Sequence, residues 1–249
     1  MKTIYWSPFT AGNPNIRQVS ELAYSDPENL LTSIEPTKYF GPNASRCAAI
    51  TNECRNTFKI KSPIDVSITF KDDFSGYESK YPLFQQEDRD FIEHLIGAFG
   101  PEKVIQLASP TYLFYCEESL LMTQLPPYYE ESTFVDNCLG LSATFDIGNW
   151  FRMVKPSFKL RKKAHTIEFL KDTALMYLKF NTEEKVKLVR FDGSVFAKNH
   201  KDILDNIMSF KYFTKSPLIP TSLSENYMAF RKARYNKKVM KIIRDNIIE

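Results

Sequence analysis

The clearest pattern in the chain lies at TFKIKSPIDVSITFK, residues 57–71, where apolar and polar positions alternate. Ile64, Val66, Ile68 and Phe70 stand opposite Asp65, Ser67, Thr69 and Lys71. A period of two marks a half-buried strand, because successive side chains point to opposite faces. Phe58 and Ile60 alternate in the same way with Thr57, Lys59 and Lys61. Ser62-Pro63 interrupts the run, which predicts two strands or one kinked strand. KVIQLASPTYLFYCEESLLMTQL reads as successive strands, with Glu117-Glu118-Ser119 as the turn of a hairpin. From residue 145 onward, WFRMVKPSFKL, HTIEFL, ALMYLKF and KVKLVRF form a meander of short strands, with LKDT and NTEE as turns.

Helical spacing is confined to a few places. FQQEDRDFIEHLIGAFG predicts one or two helical turns on Phe91, Ile92, Leu95 and Ile96, ended by Gly97 or by Gly100 and Pro101. SDPENLL opens a short helix with Ser25 or Asp26 as cap and Pro27 in the first position. PPYYEESTFVDNCLGLSA reads as a loop. NHKDILDNIMSFKYF reads as a helix, and SLSENYMAFRKARYNKKVMKIIRDNIIE as a longer one. In the latter, Met228, Tyr235, Val239 and Ile242 form one stripe, widened by Ile243 and ended by Asn246. The chain thus divides into a turn-rich N-terminal arm (1–45), a mainly β domain (46–196) and a helical C-terminal segment (197–249). The expected class is α+β, mainly β: an antiparallel sandwich or barrel with helices at the C-terminus.

Composition narrows the function classes. At 249 residues the chain is long enough for a sizeable core, and its 20 Phe and 13 Tyr make that core aromatic. Its 33 basic and 30 acidic residues leave a net charge of +3, too balanced to imply nucleic acid by itself. No apolar run reaches the length of a membrane span, and the N-terminus lacks a signal-peptide pattern. The expected location is therefore the cytoplasm, or a particle assembled there. The four cysteines, Cys47, Cys54, Cys116 and Cys138, match no zinc spacing and read as small buried residues.

Familiar chemistry is sparse. Only eight glycines occur, with no glycine-rich phosphate loop and no G-x-S-x-G elbow. His200-Lys201-Asp202 has the H-x-D spacing that opens an iron site, but no later histidine follows it. His94 and His165 read as structural or solvated residues. The adjacent carboxylates at 72–73, 117–118, 130–131 and 183–184 face opposite ways on a strand or sit in solvated turns. No catalytic residue, metal site or cofactor is assigned.

Four features suit binding. Arg231, Lys232, Arg234, Lys237, Lys238, Lys241 and Arg244 give the last helix a basic face, fit for nucleic acid or an acidic protein, or simply solvated. SFKLRKK at 157–163 is a second basic cluster at a turn. In FDIGNWFRMVKP, Gly148-Asn149 reads as a turn into a strand. Alternation then sets Trp150 and Arg152 on one face, where they can stack, with Lys155 following. Arg46 and Arg55 flank a short apolar segment and suit bidentate recognition of carboxylate or phosphate.

RCAAITNECRNTFKIKSPIDV and DIGNWFRMVKPSFKL, with the strands that follow to Phe191, resemble a group of tailed-bacteriophage proteins, marine myoviruses above all. The resemblance covers roughly residues 40–70 and 140–192 and brings no established activity. The group tends to carry prolines where this chain has Ala48 and Met153. A second similarity, to β-clip proteins such as dUTPase-like enzymes, implies only a β-clip or jelly-roll-like fold, because their catalytic signatures are not visible here. The resulting expectation is a non-catalytic phage structural or accessory protein acting through protein–protein contacts or self-association, in the host cytoplasm or virion. Two alternatives stay open: a nucleotide or small-molecule binding enzyme on a β scaffold, and nucleic-acid binding through the C-terminal helix.

Overall fold

The computed structural model describes residues 1–9, 24–33, 47–80, 96–99, 102–107, 110–161, 165–200, 203 and 235–248. The alternating run at 57–71 forms two strands, β3 (Thr57–Lys61) and β4 (Val66–Phe70), which belong to different sheets. Ser62-Pro63 carries the chain across. Ser62 is buried there, its hydroxyl donating to the Ile64 carbonyl (2.7 Å) and its N–H to Thr173 (2.8 Å). The break in the pattern is thus a crossing between two β-sandwiches.

In the first sandwich, one sheet has the order β12 (Arg152–Val154), β8 (Tyr112–Tyr115), β1 (Lys2–Pro8), β16 (Val186–Arg190). The β1–β16 pair is parallel and its neighbours are antiparallel. The facing sheet has the order β11 (Ala143–Asp146), β9 (Leu121–Leu125), β15 (Ala174–Phe180), β3, β2 (Glu28–Asn29). Ile4, Trp6, Tyr112, Phe114 and Val154 from one sheet meet Phe58, Ile60, Met122, Met176, Leu178 and Phe180 from the other. Phe180 stands edge-on to both Phe58 and Phe114, at 5.7 and 5.9 Å between ring centres.

The second sandwich joins β10 (Cys138–Gly140), β13 (Ser157–Leu160), β7 (Val104–Leu107) and β6 (Ile96–Phe99) to a sheet of β14 (Thr166–Phe169), β4 and β5 (Tyr77–Lys80). Val66, Ile68, Phe70, Ile167 and Phe169 pack against Ile105, Leu107, Phe158 and Leu160. Strand β15 serves both cores. Its register shifts between Ala174 and Met176, so Leu175 reaches the second core while Met176 and Leu178 fill the first.

Helices cover the outer faces of the first sandwich. Helices α1 (Leu30–Ser33) and α2 (Ala48–Arg55) lie on the five-stranded sheet through Leu30, Cys54 and Tyr177. Helix α3 (Thr133–Asn137), capped by Ser132, places Phe134 in the second core. Helices α4 (Ser194–Asn199) and α5 (Tyr235–Asp245) pack Phe196, Val239 and Ile243 over Leu113, Tyr115 and Phe151. The all-buried run of β8, YLFY, follows from this: core lies beneath it and helices above.

The mainly β sandwich with helices at its C-terminal end is thus observed, with open sheets in place of a closed barrel. The connections differ from the sequence reading. The turn at 117–119 links β8 to β9 in the opposite sheet, so it closes no hairpin. The turns at LKDT and NTEE likewise carry the chain between sheets, and the expected meander is a series of crossings. Residues 96–99 are a strand, Ile96 pairing with Leu107, where a helix end was expected. In SDPENLL the helix starts only at Leu30, because Asn29, and neither Ser25 nor Asp26, accepts the Leu31 N–H (3.0 Å). Residues 1–45 contribute β1, held between β8 and β16. In α5 the stripe of Tyr235, Val239, Ile242 and Ile243 faces inward as expected, and Met228 lies outside the described residues.

Candidate functional site

FDIGNWFRMVKP closes a turn around one buried carboxylate. Asp146 ends β11 and is only 7% exposed. Its Oδ1 accepts the backbone N–H groups of Leu120 (3.3 Å), Gly148 (3.1 Å) and Asn149 (3.1 Å). Its Oδ2 accepts the Ser119 hydroxyl (2.7 Å) and the Asn149 side-chain amide (2.6 Å). Five donors converge on one carboxylate, which keeps a buried charge solvated by protein dipoles. The chain reverses because the Trp150 N–H bonds the Asp146 carbonyl (3.0 Å). Gly148 is required by proximity: a Cβ there would lie 1.8 Å from the Glu118 carbonyl oxygen.

The expected turn at Gly148-Asn149 is present, but the face assignment differs. Strand β12 begins at Arg152, in register with Phe114, so alternation does not extend back to Trp150. Trp150 and Phe151 both join the cluster under α4 and α5. Phe151 touches Phe196 (4.8 Å between ring centres) and stands edge-on to Tyr115 (5.8 Å). Trp150 is 6% exposed and Phe151 fully buried. The Arg152 side chain lies outside the described residues. Lys155 follows β12 and is half-buried; its carbonyl accepts from Gln124 (3.3 Å) and Ser157 (3.4 Å).

The remaining candidates are dispersed. Arg55 is exposed at the end of α2, on the outer face of the five-stranded sheet, with its carbonyl taking the Asn29 amide (3.0 Å). The first sandwich therefore separates Arg55 from Trp150. Arg46, Arg231, Lys232 and Arg234 lie outside the described residues, as do Lys162 and Lys163 of the second basic cluster. On α5, Lys237, Lys238 and Lys241 are exposed. Arg244 grips both oxygens of Glu117 at 2.7 and 2.8 Å, tying the helix to the β8–β9 turn.

The sequence reading missed a cluster on α2 and the loop after β9. Tyr128 stands edge-on to Tyr177 and Tyr129 lies tilted against it, at 5.1 and 6.3 Å between ring centres, beside Cys54. Lys179 bonds Glu53 at 2.5 Å, and the Tyr128 hydroxyl reaches the same carboxylate at 3.4 Å. The Pro-Pro-Tyr-Tyr dipeptides were its only trace in the sequence. Burial pushes the Cys54 thiol up, as it does Cys116, and takes Cys138 up to about 12. Burial also raises Tyr129 to about 12, so this phenol and the three buried thiols favour the protonated form. Among the described residues no three His, Cys, Asp or Glu side chains gather to hold a metal ion, and no helix is long and apolar enough to cross a membrane.

Comparison with family models, curated proteins and solved structures finds no match to this chain.

Proposed function

We propose that the chain is a non-catalytic protein that acts through its surfaces, as a structural or accessory component of a larger assembly. The carrying observation is the closure of the Asp146–Val154 stretch. Its chemically capable carboxylate is saturated by five internal donors, and its aromatic residues are packed under helices. A catalytic carboxylate needs a free lone pair within reach of substrate, and Asp146 is closed on both counts. What remains open to partners is surface. Leu139, Lys159 and Val104 stand in register across β10, β13 and β7, all exposed, with no described element over them. The resemblance to tailed-phage proteins supplies the setting for this reading: a virion or host-directed component.

The test is association. Size-exclusion chromatography with light scattering, and a pull-down against host lysate or purified virions, are expected to show self-association or a stable partner. A strictly monomeric chain that retains nothing would overturn the proposal. Thermal-shift screening against nucleotides and divalent metals is the opposing arm. Ligand binding to the folded state raises apparent stability, so a saturable shift would replace this reading with a ligand-binding one.

A further inference from the structure

Lysines play two parts in this fold: some pair with carboxylates, and others, on both sandwiches, stand exposed. Lys2, Lys59, Lys61 and Lys179 are each paired with a carboxylate and hold elements together. Lys187, Lys237 and Lys241 are exposed and have no carboxylate partner among the described residues. They lie on one side of the molecule. Lys237 and Lys241 are one turn apart on α5, and Arg244 continues their stripe at the next turn. Lys187 lies on β16, in register with Thr3. Two residues on, Val189 pairs with Tyr5, which packs on the α4–α5 cluster. The chain leaving α5 then runs back along β16, with the Ile248 N–H on the Arg190 carbonyl (2.9 Å) and the Asp192 N–H on Asn246 (2.9 Å).

We propose that this face, with Lys187, Lys237 and Lys241 at its centre, docks the phosphate backbone of a nucleic acid. The proposal rests on the surface-acting reading above and names the partner of one surface. Three observations support it. The helix is held rigidly: Val239 and Ile243 are fully buried, the Tyr115 hydroxyl bonds the Asn236 carbonyl (3.1 Å), and the Asn246 amide bonds Ile242 (2.8 Å). Its charges are therefore presented at fixed spacing, about 6 Å per four residues along the axis. The apolar face of α5 is turned inward against its own sheet, and the apolar side chains exposed beside it, Ile247 and Ile248, follow its end, so Lys237 and Lys241 flank no apolar centre on the helix itself. Protein interfaces need such a centre and are depleted in lysine, whereas a row of hydrated ammonium groups suits phosphates. The acids nearby are mostly paired: Glu117 is held by Arg244, Glu118 and Glu184 by Lys2, and Asp245 lies at the helix end.

The experiment uses the full chain and a fluorescein-labelled mixed-sequence 20-mer, single-stranded and duplex, with anisotropy read from 50 to 200 mM salt. Three phosphate contacts predict a log–log salt slope of about −2.7 for duplex, a loss of affinity of roughly 40-fold across that range. The Lys237→Ala/Lys241→Ala double variant is expected to reduce the slope to about −0.9, and the Lys237→Glu/Lys241→Glu variant to abolish retention. Lys80→Glu, exposed on the second sandwich, is the control and leaves binding unchanged. These exposed substitutions leave the core intact, which circular dichroism checks. Absence of binding at 50 mM salt, a slope near zero, or equal binding by the charge-reversed variant each overturns the proposal. So does tighter binding of poly-glutamate than of the 20-mer, which would assign the face to an acidic protein. Failure here with association intact in the light-scattering and pull-down assays removes only the nucleic acid; failure in both removes the surface reading as well.

Discussion

Replacing Asp146 by alanine removes all five acceptor bonds while leaving the backbone in place. The donors differ in what they can do next. The Leu120 and Gly148 N–H groups are buried in their bonds and have no water to turn to. The Ser119 hydroxyl, the Asn149 N–H and the Asn149 amide are part-buried and can be rehydrated. An orphaned buried donor costs about 1–3 kcal/mol, so the two together cost about 2–6 kcal/mol. That is a large fraction of the roughly 5–15 kcal/mol that holds a domain folded. Asp146→Asn is expected to fall between alanine and wild type. Its carbonyl still serves the backbone donors, but its new amide meets the Asn149 amide at a 2.6 Å separation, donor against donor. Ser119→Ala, which deletes one part-buried bond, is expected to cost about 1 kcal/mol. Urea unfolding followed by the fluorescence of Trp6 and Trp150 reports the change in midpoint at constant slope. The expected order is alanine, asparagine, then Ser119→Ala. An Asp146→Ala protein within about 0.5 kcal/mol of wild type, the level of an ordinary surface change, would refute the view that this carboxylate organises the turn.

Three further outcomes follow from the packing. Gly148→Ala forces a Cβ to within 1.8 Å of the Glu118 carbonyl, so a loss of more than roughly 2 kcal/mol is expected in thermal unfolding; an unchanged Tm would contradict the close approach. A thiol reagent at about pH 8 is expected to label only Cys47 in the native chain and all four cysteines after denaturation, because burial raises Cys54, Cys116 and Cys138 and leaves them as thiols. Labelling of any buried cysteine as fast as Cys47, read by mass spectrometry, counts against that burial. Asn56→Ala frees the buried Val186 N–H and the Thr182 and Glu184 carbonyls that the amide binds at 2.7 and 2.8 Å. It is expected to cost about 1–3 kcal/mol in the same urea assay, and no loss would show that the β15–β16 turn holds without it.

Local structure was legible wherever one face of an element is wet. The period of two in β4 and the inward stripe of α5 both report a single buried face, and both appear in the structure. Partner choice was not legible. YLFY in β8 and ALMYLKF in β15 are buried on both faces, so their sequence carries no alternation to say which sheet they join. Polar turns such as Glu117-Glu118-Ser119 mark where the chain reverses, but a reversal onto the opposite sheet uses the same residues as a hairpin. Sequential strands were therefore read as neighbours where the fold sends the chain on to a different sheet. The helices α2 and α3 escaped for a different reason. Eight and five residues are too short to show a helical period, and each helix is fixed by what it covers, Tyr177 for one and Phe158 with Phe169 for the other.

The site was misread by one residue, and the reason is specific. Alternation extended from Met153 and Val154 back through Trp150 assumes an unbroken strand. The bond from the Trp150 N–H to the Asp146 carbonyl ends that assumption, because it bends the chain between Trp150 and the first paired residue, Arg152. Trp150 and Phe151 then fall on the same side, a pairing that period two forbids and a turn exit permits. The signal lay upstream, in Asp-x-Gly-Asn. A short acid three residues before an asparagine can cap its own turn, and a glycine between them admits a neighbouring backbone. Read that way, a rare tryptophan after such a turn marks where helices close over a sheet. The solvent-facing chemistry then shifts to the lysines those same helices leave outside.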